Sequence, residues 1–288
     1  MGEVSRAVLI TGCSSGIGEA TARHLAERGW KVYATARRPE SIAELAEAGC
    51  TTLALDVTDE ASMRAAVDAV TEAEGAVGVL VNNAGYSQSG AVESVPMDVA
   101  RRQFETNVFG LIRMCQLALP GMRRQGWGRI VNLSSMGGKL TFPGGGMYHA
   151  TKHAVEAVSD ALRFEVKPFG VDVVVIEPGL IRTRFGETAA GSVGETSAEG
   201  EGAADDPYLH FNAAVAAITA DAYDGPMARL GAGPEAVARK IERAISARRP
   251  RPRYTVTASA KLLLGARALM SDRMWDGFVG RSMPRPRP

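Results

Sequence analysis

Tyr148 and Lys152 stand four residues apart in the run Tyr148-His149-Ala150-Thr151-Lys152, and Ser135 lies thirteen residues upstream. On a helix, residues four apart share one face, so phenol and ammonium would be neighbours. A cation beside a phenol favours the phenolate and lowers its pKa. The spacing therefore suits a proton donor and acceptor working near neutral pH. A phenol, a cation and a hydroxyl suffice to manage one proton while a cofactor carries a hydride, with no metal needed. Alone, Y-x-x-x-K is a weak signal, and its weight comes from what precedes it.

A glycine-rich turn, Thr11-Gly12-Cys13-Ser14-Ser15-Gly16-Ile17-Gly18, follows the first apolar run. Gly12, Gly16 and Gly18 between a strand and a helix permit a tight turn and close approach of backbone to a pyrophosphate. The helix N-terminus adds unpaired N–H groups and the positive end of a dipole. A simple glycine turn would lack that strand before it and helix after it. The second strand ends near Ala36, followed by Arg37 and Arg38. An NAD site usually places an acid there for the ribose 2′-hydroxyl. Ala36 cannot serve, whereas Arg37 could pair with a 2′-phosphate. This favours NADP(H) over NAD(H); the alternative is a solvated arginine in a chain whose basic residues are mostly arginine. Asp56-Val57 closes the third strand, where the carboxylate could accept from an adenine amino group or cap a helix.

These residues need a scaffold, and the first 180 residues supply one. Short β-rich runs at residues 7–11, 31–36, 51–55, 77–81, 129–133 and 171–176 alternate with longer segments of helical periodicity, one from Gly16 to Leu25 and another after Asp59. Such alternation predicts right-handed βαβ units and a parallel sheet. The strands lack a polar face, as expected when helices cover both sides. With a seventh strand near 253–257, the chain reads as an α/β protein. It would have one Rossmann-type doubly wound parallel sheet of about seven strands, in a single domain over residues 1–288.

The texture changes after Thr183. Residues 188–206 are nearly all small or polar, a composition that does not order itself. Tyr208, Phe211, Val215, Ile218 and Ala222 then recur at helical spacing. A segment of this kind, at 184–226, is expected to be a substrate lid, the alternative being a passive insertion. Pro234 opens a further helix through Ala247. Residues 258–279 read as one helix with Lys261, Arg267 and Arg273 beside its apolar side chains. Packing on the domain or a partner subunit is the plainer expectation, and a membrane-surface helix the sharper one. The Arg/Pro tail at 281–288 is expected to be disordered.

Composition narrows the classes. At 288 residues, 45% hydrophobic and 23% charged, the chain has the balance of a globular enzyme. A net charge of +1 gives no indication of nucleic acid. Cys13, Cys50 and Cys115 sit at unrelated spacings, which argues against a disulfide framework or a zinc site. A reducing, cytoplasmic setting is expected. No run of eighteen apolar residues suggests a spanning helix. His24, His149, His153 and His210 have no metal-ligand company, and His149 is expected on a different helical face from Tyr148.

Together the motifs resemble the short-chain dehydrogenase/reductase family in its single-domain form. They are T-G-x-x-x-G-I-G at residues 11–18, Asp56-Val57, Asn82-Asn83-Ala84-Gly85, Asn107 within N-V-F-G, Ser135, Tyr148 with Lys152, and Pro178-Gly179 with Thr183. The resemblance implies that Tyr148 exchanges a proton with the substrate oxygen, which Ser135 holds. Lys152 would bind the nicotinamide ribose and depress the tyrosine pKa. Asn107 would bend its helix around a water linking Lys152 to solvent. Asn83, Ala84 and Gly85 would line the adenosine and ribose path. Pro178, Gly179, Ile181 and Thr183 would cradle the nicotinamide end. Ser14, Ser15 and Ile17 would belong to the phosphate turn. The turn and the C-terminal layout resemble the 17β-hydroxysteroid and retinol dehydrogenase branch. The implied activity is NADP(H)-dependent interconversion of a ketone or aldehyde and an alcohol on a moderately large apolar substrate, by a homodimer or homotetramer. An NAD(H)-using enzyme and a non-catalytic cofactor-binding regulator are the rivals.

Overall fold

Seven parallel strands form one sheet in the order β3-β2-β1-β4-β5-β6-β7. They are β1 Val8–Ile10, β2 Val32–Ala36, β3 Thr51–Ala54, β4 Val79–Asn82, β5 Gly128–Leu133, β6 Val171–Glu177 and β7 Arg253–Thr255. The structure is a computed structural model and describes residues 4–192, 206–224 and 226–286. β1 pairs with β2 on one side and β4 on the other, so the strand order reverses direction beside the glycine turn. Such a switch point opens a crevice beyond the carboxyl ends of the strands.

The strands are apolar on both faces because both are covered. Val8 and Ile10 of β1 join one core cluster while Leu9 joins the other, the two-residue alternation of a pleated strand. Helices α1 (Gly16–Glu27) and α9 (Pro234–Ser246) pack on the first face. On the second lie α3 (Glu60–Glu74), α5 (Gly110–Gln125) and α6 (Gly146–Val166). The short α2 (Ala43–Glu47) leads into β3. Asp59, not Asp56, caps α3, its carboxylate accepting from Ala61 N at 2.9 Å.

Outside the sheet, α4 (Met97–Phe104) runs through a π-helical turn, Glu105–Phe109, into α5. Helix α7 (Phe185–Gly191) follows β6, and α8 (Leu209–Asp224) lies beyond it. Residues 188–191, expected without order, are thus the second half of α7, which is anchored at its start by Phe185; 193–205 lie outside the described residues. The C-terminal segment is two helices, α10 (Ala258–Leu269) and α11 (Asp272–Ser282), rather than one. Ser271 breaks them because it caps α11 through its side chain. Arg281, assigned to a disordered tail, is helical, and the tail's last two residues lie outside the described ones. No helix among the described residues is long and apolar enough to cross a membrane.

Candidate active site

A cavity of about 1310 Å³ opens along the carboxyl ends of the strands. Gly12, Ser14, Ser15, Gly16, Ile17, Arg37, Asp56, Val57, Asn83, Ala84 and Gly85 line one lobe. Ser135, Tyr148, Lys152, Pro178, Gly179, Ile181 and Thr183 line the other. Of the residues expected to be catalytic or to bind the cofactor, Gly18 and Asn107 stay off its walls. Gly18 lies beneath the turn, where a Cβ would collide with the Gly12 carbonyl oxygen and stand 2.5 Å from Asn83 Nδ2. Asn83 contributes its side chain to the turn as well, donating to Thr11 O at 2.9 Å and Gly12 O at 2.8 Å.

Gly12 has φ +73°, and a Cβ there would meet Ala84 Cα at 2.9 Å, so only glycine fits. Helix α1 starts at Ser15 with no side-chain cap. Its first N–H groups therefore stay available to an anion. Arg37 is exposed at the rim, with no ion pair among the described residues. Asp56 holds Thr58 Oγ1 at 2.7 Å and so carries its carboxylate at the same rim. Backbone turn, uncapped helix and unpaired guanidinium suit a dinucleotide phosphate chain and a phosphorylated ribose.

At the other lobe, Ser134-Ser135 directly follow β5 and α6 presents Tyr148 and Lys152. Ser135 Oγ accepts from Gly137 N at 3.0 Å and hydrogen-bonds the Tyr148 phenol. Ser134 Oγ is buried without a partner. Geometry thus separates the two adjacent serines. Lys152 is buried, donates to Leu133 O at 2.7 Å, and sits 5.8 Å from the Tyr148 ring centre. Burial lowers its pKa to about 8, with the Glu156 carboxylate acting the other way. The Tyr148 phenol departs from the sequence expectation. Burial raises its pKa, the Ser135 hydrogen bond lowers it, and nearby Tyr223 raises it. Burial is the largest of these causes, and the Lys152 ammonium nearby donates to the backbone carbonyl of Leu133 at the end of β5.

Asn107 sits in the π-helical turn and braces the site from behind. Its Oδ1 accepts from Tyr86 N at 3.0 Å, and Nδ2 donates to Tyr86 O at 2.8 Å and Thr151 Oγ1 at 3.1 Å. The turn that carries it is π-helical, which inserts one extra residue into the α4–α5 run.

Phe185 and Tyr223 line the cavity without having been singled out in the sequence, whereas Val215 and Ile218 belong to the helical run expected there. Phe185 of α7 packs its ring 5.6 Å from that of Tyr148. Val215, Ile218 and Tyr223 of α8 and Leu263 of α10 complete an apolar wall. Helix α8 seats against Gly144, where a Cβ would stand 2.5 Å from Val215. His149, one residue further round α6 than Tyr148, lines the same cavity. Among the described residues no group of His, Cys, Asp and Glu could hold a metal ion, and the three cysteines are free and buried.

A family model described as short chain dehydrogenase matches residues 6–191. The chain belongs to the short-chain dehydrogenase/reductase family, oxidoreductases that act on CH–OH groups with a nicotinamide nucleotide. The uncharacterized oxidoreductase YbbO of Escherichia coli K12 is 34% identical over 277 residues, covering 96% of this chain and 94% of the relative. The NADPH-dependent 3-dehydrocapnine reductase of Ornithobacterium rhinotracheale is 35% identical over 290 residues, covering 97% and 98%. The crystal structure of a short-chain dehydrogenase from Streptomyces avermitilis superposes with a TM-score of 0.78 at 32% identity, covering 99% of this chain and 100% of that one.

Proposed function

We propose that this enzyme reduces a ketone or aldehyde on a moderately large apolar substrate, steroid-, retinoid-, polyketide- or quinone-like, with NADPH, and that it runs the reverse oxidation with NADP+. One observation carries the reading: Ser135, Tyr148 and Lys152 meet at one end of the cavity that begins at the phosphate turn, under an apolar wall from α7, α8 and α10. When bound, the dinucleotide supplies or accepts the hydride at its nicotinamide. Ser135 holds the substrate oxygen. Tyr148 gives that oxygen a proton as the carbonyl carbon gains the hydride, so ketone becomes alcohol and the proton is replaced from solvent. Lys152 holds positive charge beside the phenol and offers donors to ribose hydroxyls. Asn107 keeps the α4–α5 bend in place behind it.

Preference for NADP(H) is supported by Ala36, which offers no carboxylate to a 2′-hydroxyl, and by the unpaired Arg37 at the rim. The similarity to an NADPH-dependent 3-dehydrocapnine reductase points the same way. A lid over residues 184–226 is part of the proposal. Gln88 Nε2 donates to Ser192 O at 2.7 Å, Ser192 Oγ accepts from Ser89 N at 3.0 Å, and Asn212 Oδ1 accepts from Ala91 N at 2.9 Å. These bonds hold α7 and α8 against the residue 87–91 loop, which excludes water from the hydride path. The test is purified protein with each reduced nucleotide and a panel of long-chain ketones. Turnover with NADPH exceeding that with NADH supports the reading; no turnover of any ketone with either nucleotide would overturn it.

A further inference from the structure

We propose that His149 forms a substrate-recognition subsite, its Nε2 accepting a hydrogen bond from a hydroxyl or amino group that the substrate carries close to its carbonyl. The inference rests on the ketone-reductase reading above and adds the kind of ketone. The tautomer follows from geometry. His149 Nδ1 lies 3.1 Å from the Gly137 carbonyl oxygen, which can only accept. Nδ1 therefore carries the proton, and Nε2 presents a lone pair. No described residue donates to Nε2, and the ring lines the cavity beside Tyr148, with ring centres 5.7 Å apart.

Two glycines make room for this imidazole. A Cβ at Gly137 would collide with Nδ1, and one at Gly145 would stand 2.7 Å from Nε2. Phe142 holds the ring edge-on at 6.3 Å. The acceptor is thus fixed in orientation and backed by apolar surface. Burial, the larger cause, keeps the imidazole neutral by lowering its pKa to about 4, so Nε2 remains an acceptor at neutral pH. Gly137 also links the subsite to the proton-transfer site. Its N–H donates to Ser135 Oγ while its carbonyl fixes His149. A substrate whose carbonyl oxygen sits at Ser135 and Tyr148 therefore places its neighbouring carbons beside His149. An aligned polar acceptor in an apolar wall discriminates against a ligand that leaves it unpaired.

The test compares three long-chain ketones of equal length with NADPH: the plain ketone, its α-hydroxy derivative and its α-amino derivative. The quantity read is the ratio of kcat/KM for each derivative to that for the plain ketone. In the native enzyme at least one ratio is expected to exceed unity by about tenfold, the scale of one well-placed hydrogen bond. Which derivative shows it distinguishes hydroxyl from amine. His149→Phe should bring that ratio to near unity, and His149→Gln, which retains an acceptor oxygen, should restore part of it. Gly145→Ala puts a methyl against Nε2 that shifts the imidazole and shields its lone pair, and should lower the ratio likewise. Ratios near unity in the native enzyme, or ratios that survive both His149→Phe and Gly145→Ala, overturn the subsite while leaving plain-ketone reduction standing. Loss of all three activities in His149→Phe, with the ratio retained in Gly145→Ala, overturns it too, since His149 would then only support the Ser135 turn.

Discussion

The two lobes of the cavity are built in opposite ways. The nucleotide lobe is made of backbone and small side chains: Gly12 at positive φ, Gly18 pressed under the turn, an uncapped helix start. Its partners lie at the ends of adjacent strands, in the fixed register of a parallel sheet. The substrate lobe is made of large side chains brought from far apart in sequence. Gln88 reaches Ser192, Ala91 reaches Asn212, and Leu263 joins Phe185 and Val215. A lobe dictated by backbone geometry tolerates few residues at each position. A lobe dictated by side-chain packing accepts many solutions, so it can change substrate without changing fold.

Perturbations should separate the two lobes. Tyr148→Phe is expected to have the largest effect, a rate loss on the order of 10²–10⁴, as for removal of a general acid–base group. NADPH affinity should hardly change, because the lost hydroxyl belongs to the substrate lobe. Fluorescence titration with NADPH beside steady-state kinetics reads both quantities.

Arg37→Asp should act in the opposite sense, on the nucleotide lobe alone. Loss of a charge-assisted hydrogen bond removes roughly 1.5–3 kcal/mol, or about one to two decades of NADPH affinity. NADH should gain relative to NADPH, and the choice of ketone should stay the same. An unchanged ratio of dissociation constants would mean that Arg37 is only a solvated surface cation.

The pH dependence follows from Lys152. Its pKa is lowered to about 8, so it is charged below that value and neutral above it. Tyr148 is raised and keeps its proton throughout this range. Reductive kcat/KM should therefore be level below about pH 8 and fall by about tenfold per pH unit above it. Lys152→Arg, with a cation that does not titrate, should remove that descending limb even if its overall activity is lower. The smallest effect is expected from the long-range bonds of the substrate lobe. Asn212→Ala should raise KM for a long-chain ketone by about two- to tenfold, the worth of one hydrogen bond, with NADPH affinity intact.

The same contrast explains what could be read from sequence. Strands expected at 129–133 and 171–176 are observed at Gly128–Leu133 and Val171–Glu177, because an apolar run between helical segments has few alternatives in a parallel sheet. The glycine turn, Asp56-Val57 and the Tyr148–Lys152 pair were legible because each is a short pattern fixed by local geometry. The proton state of Tyr148 was not. It depends first on burial and then on Ser135 and Tyr223, which the fold brings to the phenol from distant parts of the sequence. The surroundings of His149 were not legible for a related reason: they are set by Gly137, Gly145 and Phe142, and no periodicity within α6 encodes them. Residues 188–191 were read as unordered from their composition, yet they continue α7, which Phe185 anchors against Tyr148.

The central claim is hydride transfer to a carbonyl at the Ser135–Tyr148–Lys152 end of the cavity. Incubation with NADPH carrying deuterium at both C4 positions of the nicotinamide, together with a long-chain ketone and followed by mass spectrometry of the product, tests it most directly. The expected result is an alcohol carrying one deuterium on the carbinol carbon, formed by the native enzyme and reduced on the order of 10²–10⁴ in rate by Tyr148→Phe. Alcohol formed without the label, or labelled alcohol formed at full rate by Tyr148→Phe, would contradict it.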